Sequence, residues 1–293
     1  MQVKSILCPT DFSDFSAAAF QHALSLAEYY KARVIALHVV ELWKYPFADF
    51  VANEGDYAKF SAAMNEGGEM KLQRFVKEYS VGGLQPELVV HQGNAPRCIL
   101  SFAQKQNIEL IVMGTHGRRG FDRVVLGSCA DHVLRKAACP VLVVSNAAQT
   151  ALDTGPDGQH RLSRIFYCTD FSNNSERARE YAISLATQYS AELVLLHVAE
   201  NVSDVARAEA IIAERIQELG KLVSETECQN FKVRSTVKFG KPYEEIVRFA
   251  TEVQASLIIM TARGGDAVDR AVFGSTTYRV IQLGPCAVLA IHT

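Results

Sequence analysis

The stretch that decides the fold is residues 108–145, IELIVMGTHGRRGFDRVVLGSCADHVLRKAACPVLVVS. An apolar run, a glycine-rich segment, an amphipathic segment and a second apolar run predict a strand, a loop, a helix and a strand. Gly114 ends the first strand, where open α/β sheets bind ligands, and the following helix start suits a phosphate. We expect the loop glycines to let the backbone approach an anion and adopt a positive φ. A loop that needs turn glycines only for its own shape is the alternative.

The chain contains two copies of one pattern. ILCPTDFS at 6–13 returns as IFYCTDFS at 165–172. CPVLVV at 139–144 returns as CAVLAI at 286–291. The offset falls from 159 to 147 along the chain, so the first copy has 12 additional residues. We place them in ELWKYPFADFVANEGDYAKF, which contains the only tryptophan, Trp43.

Two copies of this length predict two domains of one fold rather than a solenoid of short units. Domain 1 is placed at 1–145, a polar linker at 146–161 and domain 2 at 162–293. In domain 1 the predicted strands are 3–9, 33–40, 87–93, 108–114 and 140–145, and the predicted helices are 16–30, about 57–79, 95–106 and 128–136. Nearly continuous apolar strands alternating with helices indicate a mostly parallel sheet covered on both faces. The fold class is therefore α/β, as two tandem doubly wound domains with five strands each.

Composition limits the classes of function. The 293 residues are 48% hydrophobic and 21% charged, with a net charge of −2. No basic cluster indicates a partner among nucleic acids or anionic membranes. The start lacks the apolar core of a signal peptide, and no run is long enough to span a membrane. Seven cysteines without metal-ligand spacing fit a reducing compartment, so we expect a cytoplasmic location.

Two common glycine motifs are absent from the sequence. A Walker A loop requires Gly-x4-Gly-Lys-Ser/Thr, which does not occur. The dinucleotide motif GxGxxG is also missing, because Gly114, Gly117 and Gly120 have the wrong first spacing. Neither a P-loop NTPase nor a dehydrogenase is indicated.

The pattern Gly-x2-Gly-x9-Gly-Ser, at Gly114, Gly117, Gly127 and Ser128, resembles the ATP-binding motif of the universal stress protein (UspA) family. The strands that contain PTDFS, LHVV and CPVLVV are similar to that family as well, over both halves of the chain. The resemblance implies an adenine nucleotide alpha hydrolase-like fold that binds ATP, AMP or ADP with Mg²⁺, whose ligands it leaves unknown. It implies these nucleotide-binding residues in domain 1: Pro9, Thr10, Asp11, Val39, Met113, Gly114, His116, Gly117, Gly127, Ser128 and Cys129.

The resemblance also implies roles for single residues. Asp11 would contact the ribose, with Pro9 and Thr10 near the base, and the Val39 backbone would contact adenine. The glycine loop would hold the phosphates, with His116 as a further phosphate contact.

Several of these side chains have a structural alternative. An Asp at a strand end often only caps the next helix, so both roles stay open for Asp11. Ser13 or Ser16, and Ser128, are predicted N-caps. His38 and His197 lie in apolar strands, which favours hydrogen-bonded core histidines. Cys129 is either a thiol of lowered pKa or a buried one, and burial is favoured.

Domain 2 departs from the pattern at one position. Thr261 replaces the first glycine, and we expect its β-branched side chain to weaken or abolish nucleotide binding. The matching residues of domain 2 are Asp170, Val198, Gly264, Gly274 and Ser275.

Three functional classes remain open from the sequence. The first is a regulatory protein that binds an adenine nucleotide, and it is favoured. The second is a slow ATPase or autophosphorylating enzyme, for which no catalytic residue is assigned. The third is a nucleotide-independent scaffold or chaperone-like dimer. By resemblance, PVLVVS and AVLAIHT are edge strands that pair antiparallel, which predicts an intrachain pseudo-dimer and further assembly as a homodimer.

Overall fold

The computed structural model describes residues 3–45, 54–80, 83–115, 126–145, 153–154, 160–172, 174–199, 205–224, 226–263 and 273–292. Within these ranges the chain divides into two compact units, residues 3–139 and residues 140–292.

The first unit alternates strands and helices. Its elements are β1 (Ser5–Thr10), α1 (Asp14–Tyr30), β2 (Arg33–Val40), α2 (Glu54–Tyr79), β3 (Glu87–Gln92), α3 (Ala95–Lys105), β4 (Leu110–Gly114) and α4 (Ser128–Lys136). The strands are parallel in the order β3-β2-β1-β4. All six residues of β1 are buried, as expected for a central strand covered on both faces. The carboxyl ends of β1, β2 and β4 therefore lie at one edge of the sheet.

The second unit repeats this order and adds strands. Its elements are β5 (Val141–Val144), β6 (Asp153–Thr154), β7 (His160–Arg161), β8 (Arg164–Cys168), α5 (Ser175–Tyr189), β9 (Glu192–Ala199), α6 (Val205–Gly220), β10 (Val233–Phe239), α7 (Pro242–Glu252), β11 (Leu257–Thr261), α8 (Ser275–Leu283) and β12 (Ala287–Ile291). The main sheet has the order β10-β9-β8-β11-β12-β5, and β6 pairs with β7. The prediction of α/β domains with mostly parallel sheets is confirmed.

The strand β5 comes from the first sequence copy but belongs to the second unit. It pairs antiparallel with β12, with Val141 opposite Ala290 and Val143 opposite Val288. The antiparallel pairing predicted for these two apolar edges is confirmed. The pseudo-dimer of complete domains and the homodimer stay predictions.

The additional residues of the first copy extend into its second helix. The helix α2 has 26 residues, whereas its counterpart α6 has 16. A 3₁₀ turn, Leu42–Lys44, follows β2 and precedes α2. Gly68 allows α2 to lie close to the sheet, since a Cβ there would be 3.1 Å from Val40 Cγ2.

One predicted helix cap is correct and another is displaced by one residue. Ser13 caps α1, and its Oγ accepts the Ser16 N–H at 3.3 Å. Ser128 is wrong as an N-cap, because Gly127 occupies that position and Ser128 is the first helical residue. No helix among the described residues is long and apolar enough to cross a membrane.

Candidate functional site

The turn after β1 is built by its own polar side chains. Thr10 Oγ1 accepts the Phe12 N–H at 3.0 Å. Asp11 Oδ1 accepts the Ser13 N–H at 3.1 Å and the Ser13 hydroxyl at 2.6 Å. These bonds hold Phe12 at φ 66°, in the left-handed region that few non-glycine residues adopt. Asp11 therefore has the structural role that the sequence left open, and its contact with ribose stays a prediction.

The second unit repeats the turn, but its Asp accepts the hydroxyl of a different serine. Thr169 Oγ1 accepts the Phe171 N–H at 3.0 Å, and Phe171 has φ 61°. Asp170 Oδ1 accepts from the Ser172 N–H at 3.0 Å and from the Ser175 hydroxyl at 3.1 Å. Asp170 is exposed, whereas Asp11 is half-buried. The TDFS sequence thus encodes one turn in both units.

The end of β2 is joined to this turn through a histidine. His38 Nδ1 lies 2.9 Å from the Thr10 carbonyl oxygen, and the rings of His38 and Phe12 are 4.3 Å apart. His197 makes the matching contact with the Thr169 carbonyl oxygen at 2.9 Å. Both histidines are half-buried and hydrogen-bonded to the backbone. They connect neighbouring strand ends, which is the structural role that the sequence favoured.

Gly114 is required for packing rather than for its backbone conformation. A Cβ at this position would lie 2.8 Å from the carbonyl carbon, carbonyl oxygen and Cβ of Phe15, in the first turn of α1. Among the described glycines only Gly93 and Gly240 have a positive φ, so the expectation of a positive φ is wrong for Gly114. It is also wrong for Gly127, whose φ is −60°.

The base of the glycine loop is closed by a backbone hydrogen bond. The Gly127 N–H donates to the Thr115 carbonyl oxygen at 2.8 Å. The second unit has the same bond between the Gly274 N–H and the Ala262 carbonyl oxygen, also at 2.8 Å. Both loops are thus held at their bases in the same way.

The helix that follows the loop begins at a glycine. Gly127 is the N-cap of α4 and has no side chain with which to satisfy the first helical N–H groups. Ser128, the first helical residue, is exposed. The N-terminus of α4 is therefore suited to an anion supplied by a ligand.

Cys129 connects this helix start electrostatically with the ends of β1 and β2. Burial, together with the carboxylates of Glu41 and Asp11, raises the pKa of the Cys129 thiol to about 12, and Lys44 opposes this rise. The thiol is therefore protonated at neutral pH, which agrees with the favoured interpretation of Cys129. Groups that follow β1 and β2 therefore act on the start of α4.

Sequence reasoning missed Glu41 and Lys44. Glu41 Oε1 accepts the Ala95 N–H at the start of α3 at 3.2 Å, and its Oε2 forms an ion pair with Lys44 Nζ. The side chain of Glu41 is 13% exposed and that of Lys44 is 53% exposed. No motif covers these two residues, and their only signal was that they directly follow the strand that contains Val39.

The remaining predicted residues of domain 1 differ in accessibility. Pro9, Thr10 and Met113 are buried, so their side chains belong to the interior of the unit. Val39 is half-buried at the end of β2. His116 and Gly117 lie outside the described residues.

The carboxyl edge of the sheet in the second unit differs from that of the first unit at Thr261. Val198 is half-buried near the end of β9. Gly274 caps α8 with φ −60°, as Gly127 caps α4, and Ser275 follows it as an exposed residue. Thr261 is only 8% exposed, and its carbonyl oxygen accepts the Thr277 hydroxyl at 2.7 Å. Its side chain therefore packs in the interior, and Gly264 lies outside the described residues.

Comparison with known proteins points to one family. The sequence model of the universal stress protein family matches this chain twice, at residues 2–145 and 162–292. The universal stress protein MJ0531 of Methanocaldococcus jannaschii is 38% identical over 141 residues, which are 48% of this chain and 81% of that protein. The universal stress protein Slr1230 of Synechocystis is 21% identical over 308 residues, covering 99% of this chain and 100% of that protein.

A solved structure is similar over the whole length. The crystal structure of a universal stress protein from Archaeoglobus fulgidus has a TM-score of 0.74 at 23% sequence identity. The match covers 100% of this chain and 99% of that chain, and it supports the tandem fold.

Proposed function

Because the chain belongs to the universal stress protein family, we propose that its first domain binds an adenine nucleotide and that occupancy regulates the protein. The nucleotide is ATP, AMP or ADP, bound with Mg²⁺. We also propose that domain 1 spans residues 1–145, the linker residues 146–161 and domain 2 residues 162–293. The proposed location is cytoplasmic, and the proposed assembly is a homodimer.

The observation that carries the proposal is the convergence of three strand ends beside an N-terminus capped by glycine. The turn at Asp11, the turn after Val40 and the start of α4 at Gly127 lie at the carboxyl edge of one parallel sheet. This edge is where open α/β sheets bind ligands. The N-terminal N–H groups of α4 and the dipole of the helix favour a phosphate.

The contacts of the acidic residues favour binding over catalysis. Asp11 accepts hydrogen bonds from the Ser13 N–H and hydroxyl. Glu41 accepts a hydrogen bond from the Ala95 N–H and forms an ion pair with Lys44. A general base has to accept a proton from the reacting group, whereas these carboxylates already accept structural hydrogen bonds. We therefore propose that a bound nucleotide acts by biasing the conformation or partners of the protein.

Domain 2 is proposed to bind the nucleotide weakly or not at all. Its α5 begins seven residues after Cys168, whereas α1 begins five residues after the matching Pro9. The edge that surrounds Thr261 is therefore shaped differently from the edge that surrounds Gly114.

Calorimetric titration of nucleotide-free protein with Mg-ATP tests the function and its location. The variant Gly127→Asp places a carboxylate at the N-cap of α4, where Asp is a favoured cap and where its charge repels a phosphate. Gly274→Asp makes the same change at the N-cap of α8, which has nearly the same dihedral angles. We expect one site per chain, lost in Gly127→Asp and retained in Gly274→Asp.

Each other result has a defined meaning. Loss of binding in Gly274→Asp alone would move the site to domain 2. Two sites in the unmodified protein would show that Thr261 is tolerated. No heat from a folded protein would reject the nucleotide and favour the scaffold, while multiple turnover of ATP would favour an enzyme.

A further inference from the structure

We propose that Lys44 binds the phosphates of the nucleotide and that Glu41 competes with them for its ammonium, an inference that rests on the nucleotide site proposed for domain 1. Neither residue belongs to the glycine motif. Both lie at the turn that follows β2, at the start of the segment in which the additional residues of the first copy are placed.

The turn is fixed to the unit at two points and is closed by a hydrogen bond of its own. The Leu42 side chain is only 7% exposed, so it anchors the turn in the interior. Glu41 Oε1 accepts the Ala95 N–H, which ties the turn to the start of α3. The Tyr45 N–H donates to the Leu42 carbonyl oxygen at 3.0 Å and closes the turn. The base of the Lys44 side chain therefore has a defined position at the edge of the sheet.

The ion pair leaves Lys44 able to bind a second anion. An ammonium has three N–H donors on a flexible stem, and the Lys44 side chain is 53% exposed. The carboxylate of Glu41 is the more enclosed partner, at 13% exposure. Glu41 is thus an enclosed partner for an exposed ammonium, and the ammonium can turn from this carboxylate to a phosphate without leaving the solvent.

The start of α4 lies at the same carboxyl edge of the sheet as this pair, and within its electrostatic reach. Glu41 and Lys44 act with opposite signs on the Cys129 thiol, in the first turn of α4. Glu41 also acts on the Cys98 thiol in α3, whose pKa is raised mainly by burial. A phosphate at the α4 N-terminus would therefore experience an acidic group and a basic group from the same turn.

The second sequence copy has only half of the pair. By the offset of 159, Glu200 matches Glu41 and Ser203 matches Lys44. The lysine is therefore specific to the copy that retains all three motif glycines, as expected if it serves the same ligand.

Titrations with ATP and with adenosine test the inference in the full chain. Lys44→Gln should weaken ATP binding about tenfold or more, the value of a charge-assisted hydrogen bond, and leave adenosine binding unchanged. Glu41→Gln keeps an acceptor for the Ala95 N–H but removes a negative charge beside the phosphates, so ATP binding should strengthen. Lys105→Gln makes the same charge change as Lys44→Gln, about 15 Å along α3 from Ala95, and should have no effect.

The two variants must move ATP affinity in opposite directions. The inference is overturned, and the nucleotide site stands, if both variants weaken ATP binding or if Lys44→Gln weakens adenosine binding as much as ATP binding. It is also overturned if Lys44→Gln affects ATP binding no more than Lys105→Gln does. If the unmodified protein binds neither ligand, the proposed function fails and the inference fails with it. Circular dichroism of each variant confirms that the fold is intact.

Discussion

The substitution Gly114→Ala tests whether the first motif glycine serves the fold. The added Cβ would lie 2.8 Å from three atoms of Phe15, whereas ordinary contacts begin at 3.4 Å. Two of these atoms are backbone atoms, so a side-chain rotation cannot relieve the contact and α1 must move away from β4. Overpacking of this kind costs about 1–3 kcal/mol. The reduced conformational freedom of the unfolded chain stabilises the variant by about 0.4–1 kcal/mol, so we expect a net loss of about 1 kcal/mol.

The matched control is Gly67→Ala in α2. A Cβ at Gly67 would meet nothing within 4 Å, so only helix propensity changes, and we expect a gain of about 1 kcal/mol. Urea denaturation followed by the fluorescence of Trp43, the only tryptophan, reports on the first unit. The midpoint should fall in Gly114→Ala and rise in Gly67→Ala.

A different pattern would refute the steric argument. If Gly114→Ala keeps the stability of the unmodified protein and loses only nucleotide binding, the glycine serves the approach of the ligand. Its replacement by Thr261 in domain 2 would then report lost binding rather than different packing.

Two further predictions concern polar and titratable groups. Thr10→Val removes the acceptor of the Phe12 N–H and the 3.0 Å contact with Ser16 Oγ. We therefore expect the free energy of unfolding, measured by urea denaturation, to fall by about 1–3 kcal/mol. An unchanged urea midpoint would contradict the role of this turn. Because the folded state raises the pKa of Cys129 from 9.0 to about 12, its contribution is present in full below pH 9 and is lost as the pH rises toward 12. The urea midpoint should therefore fall as the pH rises from about 9 toward about 12, and less steeply in Cys129→Ala; equal slopes would be evidence against this linkage.

The fold could be predicted because the sequence contains the same order of apolar runs and amphipathic segments twice. The order of strands and helices follows from apolar runs and their periodicity, which are local properties. The antiparallel pairing of β5 with β12 was expected from the family resemblance, because the apolar character of the two strands alone does not fix their partner or direction.

The candidate site was predictable only in part. The glycine motif indicated the edge of the sheet and the start of α4, but not why Gly114 has to be a glycine. That reason is the nearness of Phe15, which is 99 positions away in the sequence and beyond any local pattern. Glu41 and Lys44 were missed for a related reason, since their importance depends on Ala95 and Cys129, which the fold brings close.

The pairing of β5 with β12 has a consequence for dissecting the chain. The sequence repeats with a boundary after residue 145, but residues 140–145 pack in the second compact unit. A fragment that begins at residue 162 would retain every repeated motif of domain 2 and leave one edge of β12 without its partner strand. Such an apolar edge invites pairing with another molecule. Residues 140–145 must therefore stay with the second half for that half to keep its native sheet.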